Sequence, residues 1–205
     1  MRDTVLEIGG TIILGLATVA SAWSMYQSAL WNGIQIFKIV ESGAANRDIA
    51  ETSVAAGQRR SMDAILFVNY SQAQFQQDPQ LAQFFFNRFP PELKRATTAW
   101  LDTNPLDDPG APPSPFAMPE YKLQKEDDLP ALKQKETDAF DAAKAANHAS
   151  DQYVRLTVLF TVSMFLSGIA GSLKKPKTKI GVLIFSTAIL VLALVDLIGM
   201  PLAVE

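Results

Sequence analysis

Charge is missing from three stretches of this chain. Asp, Glu, Lys and Arg are absent between Glu7 and Lys38, between Arg155 and Lys174, and between Lys179 and Asp196. A helix crosses the hydrocarbon of a bilayer with roughly 20 apolar residues, fewer where flanking charged side chains reach back to the interface. The pattern predicts an all-α membrane protein with transmembrane helices at residues 8–37, 155–173 and 180–200. A polar insert, residues 38–154, separates the first two, and a lysine-rich loop, residues 174–179, joins the second to the third. Bulk averages conceal this. Mean hydropathy is only +0.11 and charged residues make up 19%, as in a soluble domain, because the insert dilutes the spans.

The charge balance narrows the choice of partners. A net charge of −3 and a pI of ≈ 5.2 argue against a nucleic acid, which calls for a basic patch. The lipid bilayer is the one partner the spans require. There is no cysteine, so disulfides, thiolate metal sites and cysteine nucleophiles are all excluded.

The first span contains a signal-like feature. Val19-Ala20-Ser21-Ala22 resembles a small-residue cleavage site behind an apolar run. Arg2 is offset by Asp3 and Glu7, however, and the uncharged run continues through Trp23 and Trp31 to Phe37. Retention as a membrane anchor is the expectation. Lys174, Lys175, Lys177 and Lys179 crowd the short second loop, where positive charge sets orientation most strongly. That loop and the N-terminus are expected in the cytoplasm, with the insert and Glu205 outside, periplasmic in a bacterium. Trp23, Tyr26, Trp31 and Tyr153 fit an aromatic belt near the outer interface.

The insert reads as helical. No proline occurs from Trp31 to Gln77, and the apolar spacing carries the first helix past the membrane surface. Asp78-Pro79 ends that run. A short helix is expected over Gln80–Phe89, and Pro90-Pro91 opens another through Trp100. Six prolines and Gly110 between Asn104 and Tyr121 exclude helix or sheet interior, and the interleaved Phe116, Met118 and Tyr121 predict an ordered strap over residues 104–121. Helix resumes at Leu129 and runs into the second span. Its seam Leu132, Ala139, Ala143, Ala146, Ser150 and Tyr153 is nearly all small. So is the set Gly43, Ala44, Ala45, Ser53, Ala55, Ala56 and Gly57. Two such faces predict an extended extracytoplasmic antiparallel helical stalk; a compact domain joined by kinks is the alternative.

Candidate sites are few. Thr11, Thr18, Ser21, Ser28, Asn32 and Gln35 fall on one stripe of the first span, with Gln27 one residue off it. Interhelical hydrogen bonding is the plain reading; a pore at an oligomer axis, with Asn32 and Gln35 at its outer mouth, is the sharper one. Asp196 is the one acid within the third apolar segment, and an interfacial position against Arg155 is expected. His148 has too few neighbouring ligands for a metal site. Glu126-Asp127-Asp128 reads as an acidic helix start. Phosphate-cradling loops, nucleophile elbows, zinc motifs and dinucleotide fingerprints are absent, so no catalytic residue, metal or cofactor is expected. A scattered enzyme site from Glu41, Arg47, Asp63 and His148 is the weakest reading.

The string from Ala22 to Gln35, AWSMYQSALWNGIQ, and the string from Pro113 to Tyr121, PSPFAMPEY, resemble sequences in a group of bacterial inner-membrane proteins of unknown function. The resemblance implies a three-span helical protein and brings no activity, cofactor or catalytic residue. It suggests contact between the aromatic end of the first span and the strap. The functional expectation is a non-catalytic, self-associating scaffold or accessory subunit of a membrane assembly, homo-oligomeric or part of a larger complex. The alternative is an oligomeric channel lined by the first span.

Overall fold

Without proline from Trp31 to Gln77, the first helix has no local reason to stop, and it does not. A computed structural model of the chain describes residues 2–203, and its first helix, α1, runs unbroken over Arg2–Phe75. The expected outward location of Glu205 lies outside the described residues. After α1 come α2 (Pro79–Phe86), α3 (Pro91–Leu101), single 3-10 turns at Pro115–Ala117 and Gln124–Asp128, α4 (Leu129–Ser172) and α5 (Pro176–Ile198). No strand occurs among the described residues. Three of the helices, α1, α4 and α5, are long and apolar enough to cross a membrane.

Local chemistry explains the boundaries. Gln77 adopts φ 54°, and the amides of Gln77 and Asp78 return to the carbonyls of Gln74 and Ala73. This paired closure usually places glycine at the left-handed position. The Asp78 carboxylate then accepts the Leu81 amide at 3.0 Å, and Pro79 fills the first turn of α2, where its missing N–H costs nothing. That helix stops at Phe86 rather than reaching Phe89, because Arg88 and Phe89 bond to Phe85 and Phe86 in tight turns ahead of Pro90. Pro176 likewise opens α5 after an extended Lys175. The lysine-rich segment is therefore half helix, with Lys177 and Lys179 in the first turn. At the other end Pro201 cannot extend α5, which closes at Gly199.

Two compact units are present, Met1–Ser42 with Thr137–Glu205, and Gly43–Glu136. In the first, Ala17 and Ala20 of α1, Tyr153, Leu156 and Phe160 of α4, and Leu190 and Ala193 of α5 form the core. Ala139, Ala143, Ala146, Ser150 and Tyr153 are buried along α4, while Leu132, in the second unit, is half-buried. The three candidate spans thus share a compact unit with residues 137–154, which the sequence assigned to the insert. On α1 the small residues diverge: Ala45 and Ala56 are buried, but Ser53 and Gly57 are exposed.

The second unit is built on aromatic rings. Tyr70, Phe89, Leu93, Tyr121 and Leu123 are buried together, with Ala56 of α1 among them. The ring of Phe67 meets Trp100 edge-on at 5.4 Å and Phe116 at 5.8 Å; Phe116 meets Tyr121 at 5.0 Å. Edge-to-face pairs of this kind contribute about 0.5–1.5 kcal/mol each beyond area burial. Trp100 Nε1 donates to the Pro112 carbonyl at 2.7 Å, and Pro115 is fully buried. The proline-rich segment is an ordered cover on this core. Phe116 of this segment has Phe67 and Tyr121 as ring partners, and Trp31 at the end of the first span donates to the Pro201 carbonyl.

Candidate functional site

Hydroxyls in a membrane helix must find a partner, and the nearest one is usually the helix itself. Thr11 Oγ1 donates to the Glu7 carbonyl at 2.9 Å and Thr18 Oγ1 to the Leu14 carbonyl at 2.7 Å. Both threonines and Asn32 are exposed, whereas Ser21, Ser28 and Gln35 are half-buried. The six-residue stripe is therefore not one interface. Two of its members reach α4: Ser28 Oγ lies 3.0 Å from Ser150 Oγ, and Ser150 Oγ also donates to the Ser28 carbonyl at 3.1 Å. Thr18 Oγ1 also lies 3.2 Å from Met164 Sδ.

The buried face of α1 is one step around the helix, at Gly10, Ala17, Ala20, Ser24 and Gln27. Spacings of seven, three, four and three keep these on one side. Their small size lets α4 approach: Ser167 Oγ donates to the Gly10 carbonyl at 2.7 Å. A Cβ placed on Gly10 would already meet Leu183 at 3.5 Å and Ser167 at 3.6 Å. Between α4 and α5, Ser163 and Ser186 each donate to the other's carbonyl, at 3.0 and 2.8 Å, and both are fully buried. Such bonds in a bilayer average about 0.6 kcal/mol, so they fix register more than they supply stability. Ser24 Oγ is buried with no hydrogen-bond partner. Ser163, Ser167 and Ser186 were not singled out from sequence, although the four-residue spacing of Ser163 and Ser167 was a usable signal.

The chain returns on itself after α5. The Pro201 carbonyl accepts from Trp31 Nε1 at 3.1 Å and from the Tyr153 hydroxyl at 3.0 Å. Gln27 Oε1 accepts the Ala203 amide at 2.9 Å. Because a proline carbonyl has two lone pairs, one backbone oxygen ties the segment after α5 to both α1 and α4. Nearby, Asp196 Oδ2 lies 3.4 Å from the Arg155 guanidinium, with both side chains more than half exposed. At the lysine-rich end, Lys179 is buried and its Nζ lies 3.7 Å from Glu7 Oε1.

In the second unit one carboxylate is out of place by ordinary rules. Asp63 is 1% exposed. The Tyr121 hydroxyl donates to its Oδ2 at 2.9 Å, and Arg59 Nε lies 3.4 Å from Oδ1 while its NH2 reaches toward Glu92 at 3.9 Å. Burial raises the Asp63 pKa above the usual carboxylate range, opposed by the Tyr121 bond and by Arg59. Burial and the adjoining carboxylate push the Tyr121 phenol up as well, which keeps it a donor. A buried acid with a tyrosine donor and a nearby arginine is a chemically usable set, but it sits under the strap. Its direct effect is to pin Tyr121 to α1.

The residues of the weaker enzyme reading are spread over dissimilar environments: His148 and Arg47 are exposed, Glu41 is half-buried and Asp63 is buried. Among the described residues no group of three or more His, Asp or Glu is placed to hold a metal ion. Comparison with protein-family models, with curated proteins and with solved structures found no match to this chain.

Proposed function

We propose that this chain is a non-catalytic, self-associating integral membrane protein, a scaffold or accessory subunit of an assembly in a bacterial cytoplasmic membrane. The observation that carries the reading is a seam on the part of α1 that belongs to the second unit. Val54, Gln58, Ser61, Ile65, Val68, Gln72 and Phe75 recur at alternating spacings of four and three, and all are exposed. Three places before Val54 the register is occupied by the charged Glu51. Ile65, Val68 and Phe75 expose 62, 61 and 78% of their surface, on the side of the helix opposite Asp63 and Tyr70. The alternation is that of a coiled-coil seam, and exposed apolar stripes on polar segments mark protein contacts. A second copy offers the same stripe in the same register, which is what a two-fold interface requires.

In this reading the unit Gly43–Glu136 stands on the side of the membrane opposite the lysine-rich loop, since Lys174, Lys175, Lys177 and Lys179 favour the cytoplasm. Multi-angle scattering of the purified protein in detergent tests the function: a dimer or larger is expected, and a monomer at every concentration refutes it. The channel alternative requires copies to turn Asn32 and Gln35 toward a shared axis. Its signature would be planar-bilayer conductance whose ion preference changes on Asn32→Asp.

A further inference from the structure

An apolar groove of about 720 Å³ runs between α1 and α5, lined by Val5, Gly9 and Ile13 on one side and Ile184, Ala188 and Leu192 on the other. No polar side chain other than Thr187 faces it, and Thr187 spends its hydroxyl on the Leu183 carbonyl at 2.8 Å. Gly9 keeps it open, having nothing within 4 Å of where a Cβ would stand. Leu6 and Leu183 line this groove and also a second pocket of about 210 Å³, whose lining includes Lys179, Glu7, Thr11 and Ser167. The two spaces adjoin. One is apolar and as large as a typical ligand site; the other is small and of mixed lining, with Lys179 and Glu7 as its charged groups.

Lys179 gives that smaller pocket its positive charge. The residue is 5% exposed, yet its ammonium carries three donors and its ion pair with Glu7, at 3.7 Å, is too long for a hydrogen bond. Glu7 is 63% exposed and so can turn aside. Ser167 is committed to the Gly10 carbonyl and Thr11 to the Glu7 carbonyl. Lys174, Lys175 and Lys177, all exposed, add positive charge at the same end. The covered stem holds the ammonium in this pocket without a hydrogen-bonding acceptor from the protein, and a phosphate oxygen would supply one.

We infer that this pair of pockets binds one anionic phospholipid, its phosphodiester on Lys179 and an acyl chain in the groove between α1 and α5. Cationic pockets between spanning helices at the lysine-rich end of a bundle are where anionic headgroups bind. The apolar groove beside it is what separates a lipid from a free phosphate. The inference requires that α1, α4 and α5 span a bilayer, but not that the chain self-associates.

Native mass spectrometry of the full chain released from detergent tests it, because lipid adducts and oligomer mass are read together. With equimolar phosphatidylglycerol and phosphatidylcholine, the wild-type chain should retain phosphatidylglycerol at one per protomer. Lys179→Gln should reduce that retention about tenfold, the equivalent of one charge-assisted bond, and Lys179→Arg should preserve it. Ala188→Trp, which fills the groove, should release the lipid with Lys179 intact, and inorganic phosphate should not displace it. Equal retention of the two lipids by the wild-type chain, which needs no variant to fold, would overturn the inference. So would retention unchanged in Lys179→Gln, or complete displacement by inorganic phosphate.

Discussion

Removing one hydroxyl tests how the proline-rich segment is held. Tyr121→Phe deletes the donor that reaches Asp63 Oδ2 at 2.9 Å and leaves the ring against Phe116. Asp63 is 1% exposed, its Oδ1 has no hydrogen bond, and Arg59 Nε stays 3.4 Å away. The carboxylate therefore loses its one short donor where water cannot replace it. Hydrogen bonds to charged groups contribute about 1.5–3 kcal/mol, so a loss of about 2 kcal/mol is expected for the unit Gly43–Glu136. With a urea dependence of roughly 1–3 kcal/mol/M, the midpoint should fall by roughly 0.7–2 M. Trp100, edge-on to Phe67, reports the transition by fluorescence in the full chain once Trp23 and Trp31 are changed to Phe. Asp63→Asn retains an acceptor for Tyr121 and removes the charge. In that background Tyr121→Phe should cost only about 1 kcal/mol, the value for a neutral bond. Equal costs in the two backgrounds, or a wild-type loss under about 0.5 kcal/mol, would refute the reasoning.

Acidity gives a second handle on the same group. Because burial raises the folded Asp63 pKa, the folded state binds this proton more readily than the unfolded chain. Its stabilising contribution is complete below the ordinary carboxylate range and is lost as pH rises through the folded pKa; Asp63→Asn should flatten that slope in urea midpoints measured across acidic pH. Gln77→Gly removes a left-handed penalty of about 1–2 kcal/mol, partly offset by glycine's entropy, so urea titration should show no loss, whereas Gln77→Val should destabilise. Ser163→Leu places a large side chain where α4 and α5 exchange hydrogen bonds and should lower the detergent melting temperature sharply, while Ser163→Ala should cost only about 0.6 kcal/mol. Gln27→Ala removes the acceptor for the Ala203 amide and should speed carboxypeptidase trimming past Pro201; an unchanged rate would show that the bond does not hold the segment.

The long helices were readable because their signals are local. Charge-free runs, absent prolines and apolar spacing each act within a few residues, and the helices α1, α4 and α5 follow from them. The strap was readable for a related reason, since Phe116, Met118 and Tyr121 among prolines need something to pack on. The buried polar contacts were less legible because they depend on which helix face meets which. A shift of one position around α1 moved burial from Thr18 and Asn32 to Ser24 and Gln27, a rotation that Ser, Thr and Gln do not specify by type. The bond between Gln27 and Ala203 joins residues far apart in sequence, and no periodicity announces it. Lys179 looked like one more loop lysine until Pro176 was seen to start the helix before it. Nothing local to Asp63 announces its bond to Tyr121, far along the chain.

Self-association through the exposed seam of α1 is the central claim, and a chain without cysteine allows a direct measurement. Single cysteines at Ile65, at Val68 and, as an exposed control on the strap, at Asp107 can be oxidised in native membranes and the products sized under non-reducing conditions. Disulfide-linked dimers at Ile65→Cys and Val68→Cys, with Asp107→Cys remaining monomeric, are the predicted result. Monomers at all three positions, or cross-linking as strong at Asp107 as at the seam, would contradict it.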